Sequence, residues 1–305
     1  MLQFKTQEGY LINIPNSFHV YDVVQYLGYG STCVVLLVED HESHQVFAAK
    51  VMAKKDIENR NLTKSIFNEV NVLQSISHPH IIKIHDFLEL TNQVNEEYYA
   101  MITEYCENGD LLQYALKYGF KSEIEKKKIM KGFLEAISYL HNHGISHGDI
   151  KSENILLDGN LSPKLCDFGF CKSTNFAGEE SKNGTLYYAA PELFIKGQFD
   201  PFKADIYAIG ITLYSLSELH FPFIDGDQNF IIRQIIDGCL SFKSGINNLL
   251  FKLVKKCTNL SFQLRPSIED IIHDEYFTIE NNYTRKINNF SAKDFLMQDL
   301  SILDF

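Results

Sequence analysis

The sequence has little of three things that define large classes of proteins: positive charge, paired cysteines and long apolar runs. Its 305 residues include 28 Lys and Arg against 39 Asp and Glu, which gives a formal net charge of −11. This balance disfavours a protein that works by neutralising nucleic-acid phosphates or by adhering to an anionic membrane surface. We therefore expect neither nucleic acid nor a membrane among the partners of this chain.

The six cysteines form no CxxC pair, and their spacing suits neither a zinc knuckle nor a disulfide-stapled secreted domain. The N-terminal residues lack the basic start and the continuous apolar stretch of a signal peptide. The longest apolar run, from Ile206 to Leu216, is too short to span a bilayer and is predicted to be a buried helix. Together these absences predict a reduced, cytoplasmic protein.

The sequence changes character near Tyr105. From Phe18 to Met52, strand-like runs alternate with a glycine turn and a polar break, which predicts a three-stranded meander. Helical spacing of apolar residues predicts a helix over residues 60–76, and two further strands are expected within residues 81–89 and 98–105.

After Gly109 the apolar residues follow a helical period. One stripe of large side chains marks a long helix that ends near His143 and Gly144: Met130, Phe133, Leu134, Ile137 and Leu140. The length suits about two domains, so we predict an α+β protein with a β-rich first part and a helical second part. A crevice between two such parts is a natural ligand site.

Gly28 and Gly30 lie in a turn between two predicted strands, where bare backbone can close over phosphate groups. The turn lacks the Lys-Ser/Thr ending of a P-loop, and a strand follows it where a dinucleotide fingerprint would be followed by a helix. Taken alone, this segment fits an ordinary hairpin equally well.

Two later segments are more specific. The run from His147 to Asn154, His-Gly-Asp-Ile-Lys-Ser-Glu-Asn, is followed after a hairpin by Asp167-Phe-Gly169. An aspartate, a lysine, an asparagine and a second aspartate around one loop supply a base, a cation for a moving phosphoryl group and oxygen ligands for Mg²⁺. In these motifs the chain resembles a eukaryotic protein kinase, from about Phe18 to Phe277.

The resemblance implies the bilobal kinase fold, an α+β architecture with a small β-rich N-lobe and a larger, mainly helical C-lobe. The N-lobe is expected at residues 18–104 and the C-lobe at residues 105–277. An N-terminal extension, residues 1–17, and a C-terminal tail, residues 278–305, flank the two lobes.

The same resemblance implies ATP and Mg²⁺ as cofactors and assigns roles residue by residue. Lys50 matches the lysine that holds the α- and β-phosphates, and Glu69 matches its ion-pair partner. Asp149 then orients the substrate hydroxyl and accepts its proton, while Lys151 faces the moving phosphoryl group.

Asn154 and Asp167 match the residues that hold the metal ions. Thr103 falls at the gatekeeper position beside the hinge. The implied nucleotide site comprises Leu27, Gly28, Gly30, Val35, Ala48, Lys50, Thr103, Glu104, Cys106 and Leu156.

Three further positions match structural residues of the kinase C-lobe. Glu192, in Ala-Pro-Glu, closes the activation segment, and Arg265 is expected to pair with it. Asp205 matches the buried aspartate that anchors the catalytic loop from the central helix.

Lys151 after the catalytic aspartate, together with Thr185 before the Ala-Pro-Glu motif, resembles the serine/threonine branch, and most of all the calcium/calmodulin-dependent kinase group. This implies protein substrates with serine or threonine acceptors. Asp110 and Glu153 match positions that often receive an upstream arginine of the substrate, whereas Ser215 replaces an acidic position of the family.

Two departures from the family pattern bear on activity. Cys33 replaces the third glycine of the loop, and Gly148 replaces the arginine that usually gathers a phosphorylated activation segment. We therefore predict that activity does not depend on phosphorylation at Ser181, the usual activation site. The alternative is a catalytically weak pseudokinase that acts as a nucleotide-binding scaffold.

The tail contains a capping-box-like start at Ser291, followed by apolar residues at helical spacing, which predicts an amphipathic helix. Its basic residues are balanced by acidic ones, so calmodulin is not expected as a partner. A helix packed on the large lobe is favoured over an autoinhibitory or docking role, and these alternatives stay open.

Overall fold

The computed structural model describes residues 1–173, 184–195, 197, 199–279 and 302–303. The chain divides into two compact units, the first made of residues 1–77 and 81–107 and the second of residues 78–80 and 108–305. The sequence prediction places the boundary between residues 104 and 105.

The first unit is built on a six-stranded antiparallel sheet with the order β3-β4-β5-β6-β8-β7. The predicted meander forms its centre as β4, β5 and β6, and the two further predicted strands are β7 and β8. The strands of this unit are β1 (Leu2–Lys5), β2 (Leu11–Ile14), β3 (Ser17–Phe18), β4 (Tyr21–Tyr29), β5 (Cys33–Asp40), β6 (Val46–Ala53), β7 (Ile84–Thr91) and β8 (Glu97–Glu104).

The N-terminal extension has a structure of its own that the sequence reading did not assign. Strands β1 and β2 form an antiparallel hairpin in which Leu2 pairs with Ile14 and Lys5 with Leu11. The Ile12 and Ile14 side chains are fully buried in an apolar cluster with residues of the central strands. The hairpin therefore forms part of the core of the first unit.

The predicted helix over residues 60–76 is shorter in the structure and has a neighbour. Helix α1 (Lys54–Asn59) ends at Arg60, and α2 (Thr63–Ser75) begins after Asn61, whose φ of 56° is left-handed. A left-handed residue cannot continue an α-helix, so the segment divides at this point. Ile66, Val70 and Leu73, the apolar residues of α2 at helical spacing, are all buried.

The second unit is mainly helical. Its helices are α3 (Leu111–Tyr118), α4 (Glu123–Asn142), α5 (Pro201–Glu218), α6 (Gln228–Asp237), α7 (Asn248–Cys257), α8 (Ile268–Ile272) and α9 (Glu275–Thr278). The predicted apolar stripe lies on α4 and is buried. The predicted buried helix is α5, which begins at the capping side chain of Asp200.

Short strand pairs complete the second unit. They are β9 (Ile145–Ser146) with β12 (Lys172–Ser173), β10 (Ile155–Leu157) with β11 (Pro163–Leu165), and β13 (Gly184–Thr185) with β14 (Ile302–Leu303). The predicted tail helix lies outside the described residues, apart from the two residues of β14. Within the described residues, no helix has both the length and the apolar character needed to cross a bilayer.

Candidate active site

One face of the first unit's sheet brings together four of the predicted nucleotide residues. In the β5–β6 register Val35 lies opposite Lys50, and in the β6–β8 register Ala48 lies opposite Thr103. Directly opposed residues share a face, as do alternate residues along a strand. Val35, Ala48, Lys50 and Thr103 therefore lie on the same face.

The predicted ion pair of this unit is present. The Nζ of Lys50 lies 3.2 Å from Oε2 of Glu69, on helix α2. The Glu69 side chain is buried, whereas 32% of the Lys50 side chain is exposed. The helix thus holds the lysine in place while about a third of its side chain stays exposed.

The glycine turn closes on itself. The Gly30 N–H donates to the Cys33 carbonyl over 2.9 Å. A Cβ placed on Gly30 would lie 2.8 Å from the Cys33 Sγ, so the cysteine side chain packs against this glycine. Leu27 and Gly28 lie in the strand that leads into the turn, and nothing lies within 4 Å of a Cβ placed on Gly28.

The predicted hinge follows β8, which ends at Glu104. The Glu104 carboxylate accepts a hydrogen bond from the Lys83 N–H over 2.8 Å, and Cys106 is buried. In the second unit, Leu156 is half-buried in β10. Glu104 and Cys106 thus belong to the first unit, and Leu156 belongs to the second.

The second unit gathers the predicted catalytic-loop residues around the Asp149 carboxylate. The Lys151 ammonium lies 2.9 Å from Oδ2, and the Asn154 amide donates to the same oxygen over 3.0 Å. The Thr185 hydroxyl donates to Oδ1 over 3.2 Å and accepts a hydrogen bond from Lys151 over 2.8 Å. The Thr185 hydroxyl thus bridges Asp149 and Lys151.

The charge of Lys151 is strongly favoured at this position. Burial lowers the pKa of its ammonium group, but the charge of Asp149 and the hydrogen bond to it outweigh burial, and Asp167 adds to the effect. The net result is a pKa above the usual range of lysine. The loop therefore contains a permanent cation beside the Asp149 carboxylate.

The catalytic loop is anchored by the buried Asp205, as predicted. Its Oδ2 accepts the His147 N–H over 2.8 Å, and its Oδ1 accepts the Gly148 N–H over 2.9 Å. His141 also contacts Oδ2 over 2.9 Å. One carboxylate from α5 thus fixes the two residues that precede Asp149.

Asp167 has a left-handed φ of 65°, an uncommon conformation outside glycine. The next residue, Phe168, is fully buried against the His147 ring, with centroids 5.1 Å apart, and this contact holds the backbone at Asp167. Strained backbone of this kind is concentrated at functional sites.

The donor set of this loop fits a magnesium ion. The Asn154 amide nitrogen donates to the Asp149 carbonyl over 2.8 Å, which turns its Oδ1 away from Asp149. Within the described part of the chain, no group donates a hydrogen bond to that oxygen. An amide oxygen together with the Asp167 carboxylate is the hard oxygen chemistry that Mg²⁺ prefers.

The predicted pair of Glu192 and Arg265 is fully formed. Nη1 of Arg265 lies 2.6 Å from Oε1 and Nη2 lies 2.7 Å from Oε2, in a bidentate arrangement that is almost completely buried. The guanidinium also lies over the Tyr207 ring, 5.1 Å from its centroid. Tyr207 is thus the stacking partner of this cation.

Gly148 carries a feature that its sequence context did not indicate. Its φ is 82°, and a Cβ placed on it would lie 2.7 Å from the Phe170 carbonyl oxygen. The segment after Asp167 therefore approaches Gly148 more closely than any side chain at this position allows.

Two carboxylates lie near each other at the edge of the loop. Asp110 caps helix α3 by accepting the Gln113 N–H over 2.8 Å. Burial raises the pKa of Asp110, and the nearby charge of Glu153 raises it further. The Tyr188 hydroxyl donates to the Glu153 carboxylate over 3.1 Å, a contact that no sequence pattern indicated.

Comparisons with known proteins agree with this geometry. The protein kinase domain family matches residues 21–277, so the chain belongs to the protein kinase family. The family predicted from the motifs is thus confirmed, and so is the α+β kinase fold.

Individual relatives point to the serine/threonine branch. The chain is 32% identical over 273 residues to "Sucrose non-fermenting protein kinase 1" of Fusarium virguliforme, covering 85% of this chain and 36% of the relative. It is 36% identical over 223 residues to "Serine/threonine-protein kinase SIK1" of Rattus norvegicus, covering 72% and 27%. It is 31% identical over 300 residues to "Calcium-dependent protein kinase 5" of Plasmodium berghei, covering 95% and 52%. The chain thus spans between about a quarter and a half of the length of these relatives.

Proposed function

We propose that the protein is a serine/threonine kinase that transfers the γ-phosphate of Mg-ATP to hydroxyl groups of protein substrates. The observation that carries the proposal is the network on Asp149, in which Lys151, Thr185 and Asn154 all contact one carboxylate. Such a network fixes the direction in which the carboxylate faces a substrate hydroxyl.

Each residue then has a chemical task. The Asp149 carboxylate orients the acceptor hydroxyl and takes its proton. The Lys151 ammonium offsets negative charge on the phosphoryl group in flight, and Lys50, held by Glu69, binds the nucleotide phosphates. Bound Mg²⁺, held by Asn154 and Asp167, would neutralise further charge on those phosphates.

The test is phosphate transfer by Asp149→Asn beside the wild-type chain. The amide preserves the shape of the side chain but cannot accept the proton, so turnover should fall by about a hundredfold to ten-thousandfold. Nucleotide binding should stay nearly unchanged. Equal transfer by the two chains would refute the kinase assignment, and binding without transfer in the wild type would favour the scaffold alternative.

We further propose that activity does not require a phosphorylated activation segment. In a kinase with an arginine before the catalytic aspartate, a phosphate neutralises that cation and orders the segment. Gly148 provides no cation. The buried pair of Glu192 and Arg265 and the bond from Thr185 to Asp149 hold residues 185–192, the described end of that segment, without a phosphate.

This second proposal is tested with phosphatase-treated enzyme and with Ser181→Ala, a residue outside the described part of the chain. Each should retain at least about a third of the wild-type initial rate, a loss below about 0.7 kcal/mol in barrier height. A tenfold loss in either sample would show that a phosphate is needed.

Substrates with an arginine upstream of the acceptor fit the paired carboxylates of Asp110 and Glu153. Their mutual repulsion is relieved when a guanidinium binds between them. A peptide array with wild-type enzyme should therefore favour arginine two or three residues before the acceptor.

All six cysteines lie in the described part and none forms a disulfide, which supports a reducing, cytoplasmic location.

A further inference from the structure

The tip of the N-terminal hairpin, residues 6–9, contacts two separate parts of the first unit. The Gln7 backbone N–H donates to the Gly30 carbonyl over 3.1 Å. The Glu8 carboxylate lies 3.0 Å from Nη1 of Arg60, at the end of helix α1. The hairpin tip thus links the glycine turn to the helical side of the unit.

The hairpin is firmly attached behind this tip. The Phe4 ring stacks on Tyr26 of β4 with centroids 5.4 Å apart and an interplanar angle of 9°. The Asn92 side chain donates to the Asn13 carbonyl over 3.0 Å. Because its apolar face is also buried in the core cluster, the tip is held in a fixed position relative to the sheet.

The bond from Gln7 has a geometric consequence for the glycine turn. The Gly30 carbonyl and the Ser31 N–H belong to one planar trans peptide, so they point in opposite directions. Holding the carbonyl toward the hairpin therefore aims the Ser31 N–H away from it. Among the residues that the structure describes, none accepts a hydrogen bond from this N–H. Backbone N–H groups of a glycine-rich turn are typical ligands of phosphate oxygens.

We propose that the N-terminal hairpin is a positioning element for the nucleotide: the Gln7 N–H holds the Gly30 carbonyl and so aims the Ser31 N–H at the phosphates of a bound nucleoside triphosphate. This inference rests on the nucleotide site of the proposed function. It assigns a role to residues 1–17, which precede the part of the chain that matches the kinase family.

The hairpin provides a selective way to remove this one hydrogen bond. Residues 6–9 form a turn closed by the Gly9 N–H donating to the Thr6 carbonyl over 3.0 Å, and Gln7 is its second residue. Proline is favoured at that position of a turn and has no N–H. Gln7→Pro therefore deletes the donor, and Gln7→Ala is the matched control that keeps it.

The measurement is the dissociation constant of ATP and of adenosine for each variant, in magnesium buffer and without a substrate peptide. Gln7→Pro should weaken ATP binding by about threefold to tenfold and leave adenosine binding unchanged, because only ATP has phosphates for the Ser31 N–H. Gln7→Ala should bind both ligands like the wild type. Unchanged ATP binding by Gln7→Pro, or equal losses for ATP and adenosine, would overturn the proposal.

A second pair of variants keeps the test decisive if Gln7→Pro does not fold. Glu8→Arg should selectively weaken ATP binding by placing two cations together at the tip, and adding Arg60→Glu should restore it. Failure of the double variant to recover ATP binding would contradict the proposed positioning role of the hairpin. Because these are binding measurements, a wild-type chain that binds ATP but transfers no phosphate would refute only the kinase assignment.

Discussion

Restoring the family's arginine at Gly148 should impair the protein. A side chain at a φ of 82° costs about 1–2 kcal/mol. Its Cβ would also lie 2.7 Å from the Phe170 carbonyl oxygen and 3.3 Å from the carbonyl carbon. These are backbone atoms and cannot rotate away as a flexible side chain can.

The neighbours on either side of Phe170 limit how far it can move. Phe168 is fully buried against His147, and Lys172 pairs with Ser146 in the β9–β12 ladder. Overpacking at a constrained position costs about 1–3 kcal/mol, so the two effects together amount to about 2–5 kcal/mol. That is a large share of the stability of a typical domain.

The assay is urea unfolding of Gly148→Arg and Gly148→Ala, with Gly245→Ala as the matched control. Gly245 has a φ of 80°, and nothing lies within 4 Å of a Cβ placed on it, so this control measures backbone strain without the steric contact. Gly148→Ala should lose about 1–3 kcal/mol more than Gly245→Ala. Equal losses would show that the Phe170 segment moves freely and would refute the steric argument. The initial rate of Gly148→Arg should fall as well, with or without phosphatase treatment.

Three further predictions concern other parts of the chain. Arg265→Lys should lower the free energy of unfolding by about 3 kcal/mol, because a lysine cannot form the buried bidentate pair with Glu192. Burial and a neighbouring carboxylate raise the pKa of Asp110, so the KM for an arginine-containing peptide should rise as the pH falls through that raised value. Asp110→Asn should give a flat profile. Ile12→Ala should cost about 2–5 kcal/mol in urea unfolding, whereas Leu11→Ala, at a position 58% exposed, should cost less than about 0.5 kcal/mol.

The catalytic loop was predictable because its chemistry is local in sequence. Asp149, Lys151 and Asn154 lie within six residues, and each residue type is needed for phosphoryl transfer. The ion pair of Lys50 with Glu69 was also predictable, because both positions match the family's lysine and its glutamate partner. The division between α1 and α2 was missed because apolar spacing records which face is buried and does not record a left-handed residue such as Asn61.

The tight approach at Gly148 is a tertiary property that the sequence does not reveal. The loop sequence shows that an arginine is missing, and it does not show that the Phe170 carbonyl lies close to the glycine. The two facts support each other, because a backbone that packs against Gly148 cannot coexist with a side chain there. The loss of the cation and the close packing of the segment after Asp167 are therefore best understood as one structural change.

The N-terminal hairpin shows the same limit at a longer range. Leu11 to Ile14 reads Leu-Ile-Asn-Ile, a short run rich in apolar and β-branched residues that could have indicated a strand. The role of the hairpin depends on partners that are distant in sequence. The Asn13 carbonyl accepts a hydrogen bond from the Asn92 side chain, and the Gln7 N–H donates to the Gly30 carbonyl. Contacts between residues so far apart in the sequence produce no periodic pattern in either segment. An extension that precedes the family match can therefore be part of the core. The hydrogen bond from the Gln7 N–H to the Gly30 carbonyl connects this extension to the candidate nucleotide site.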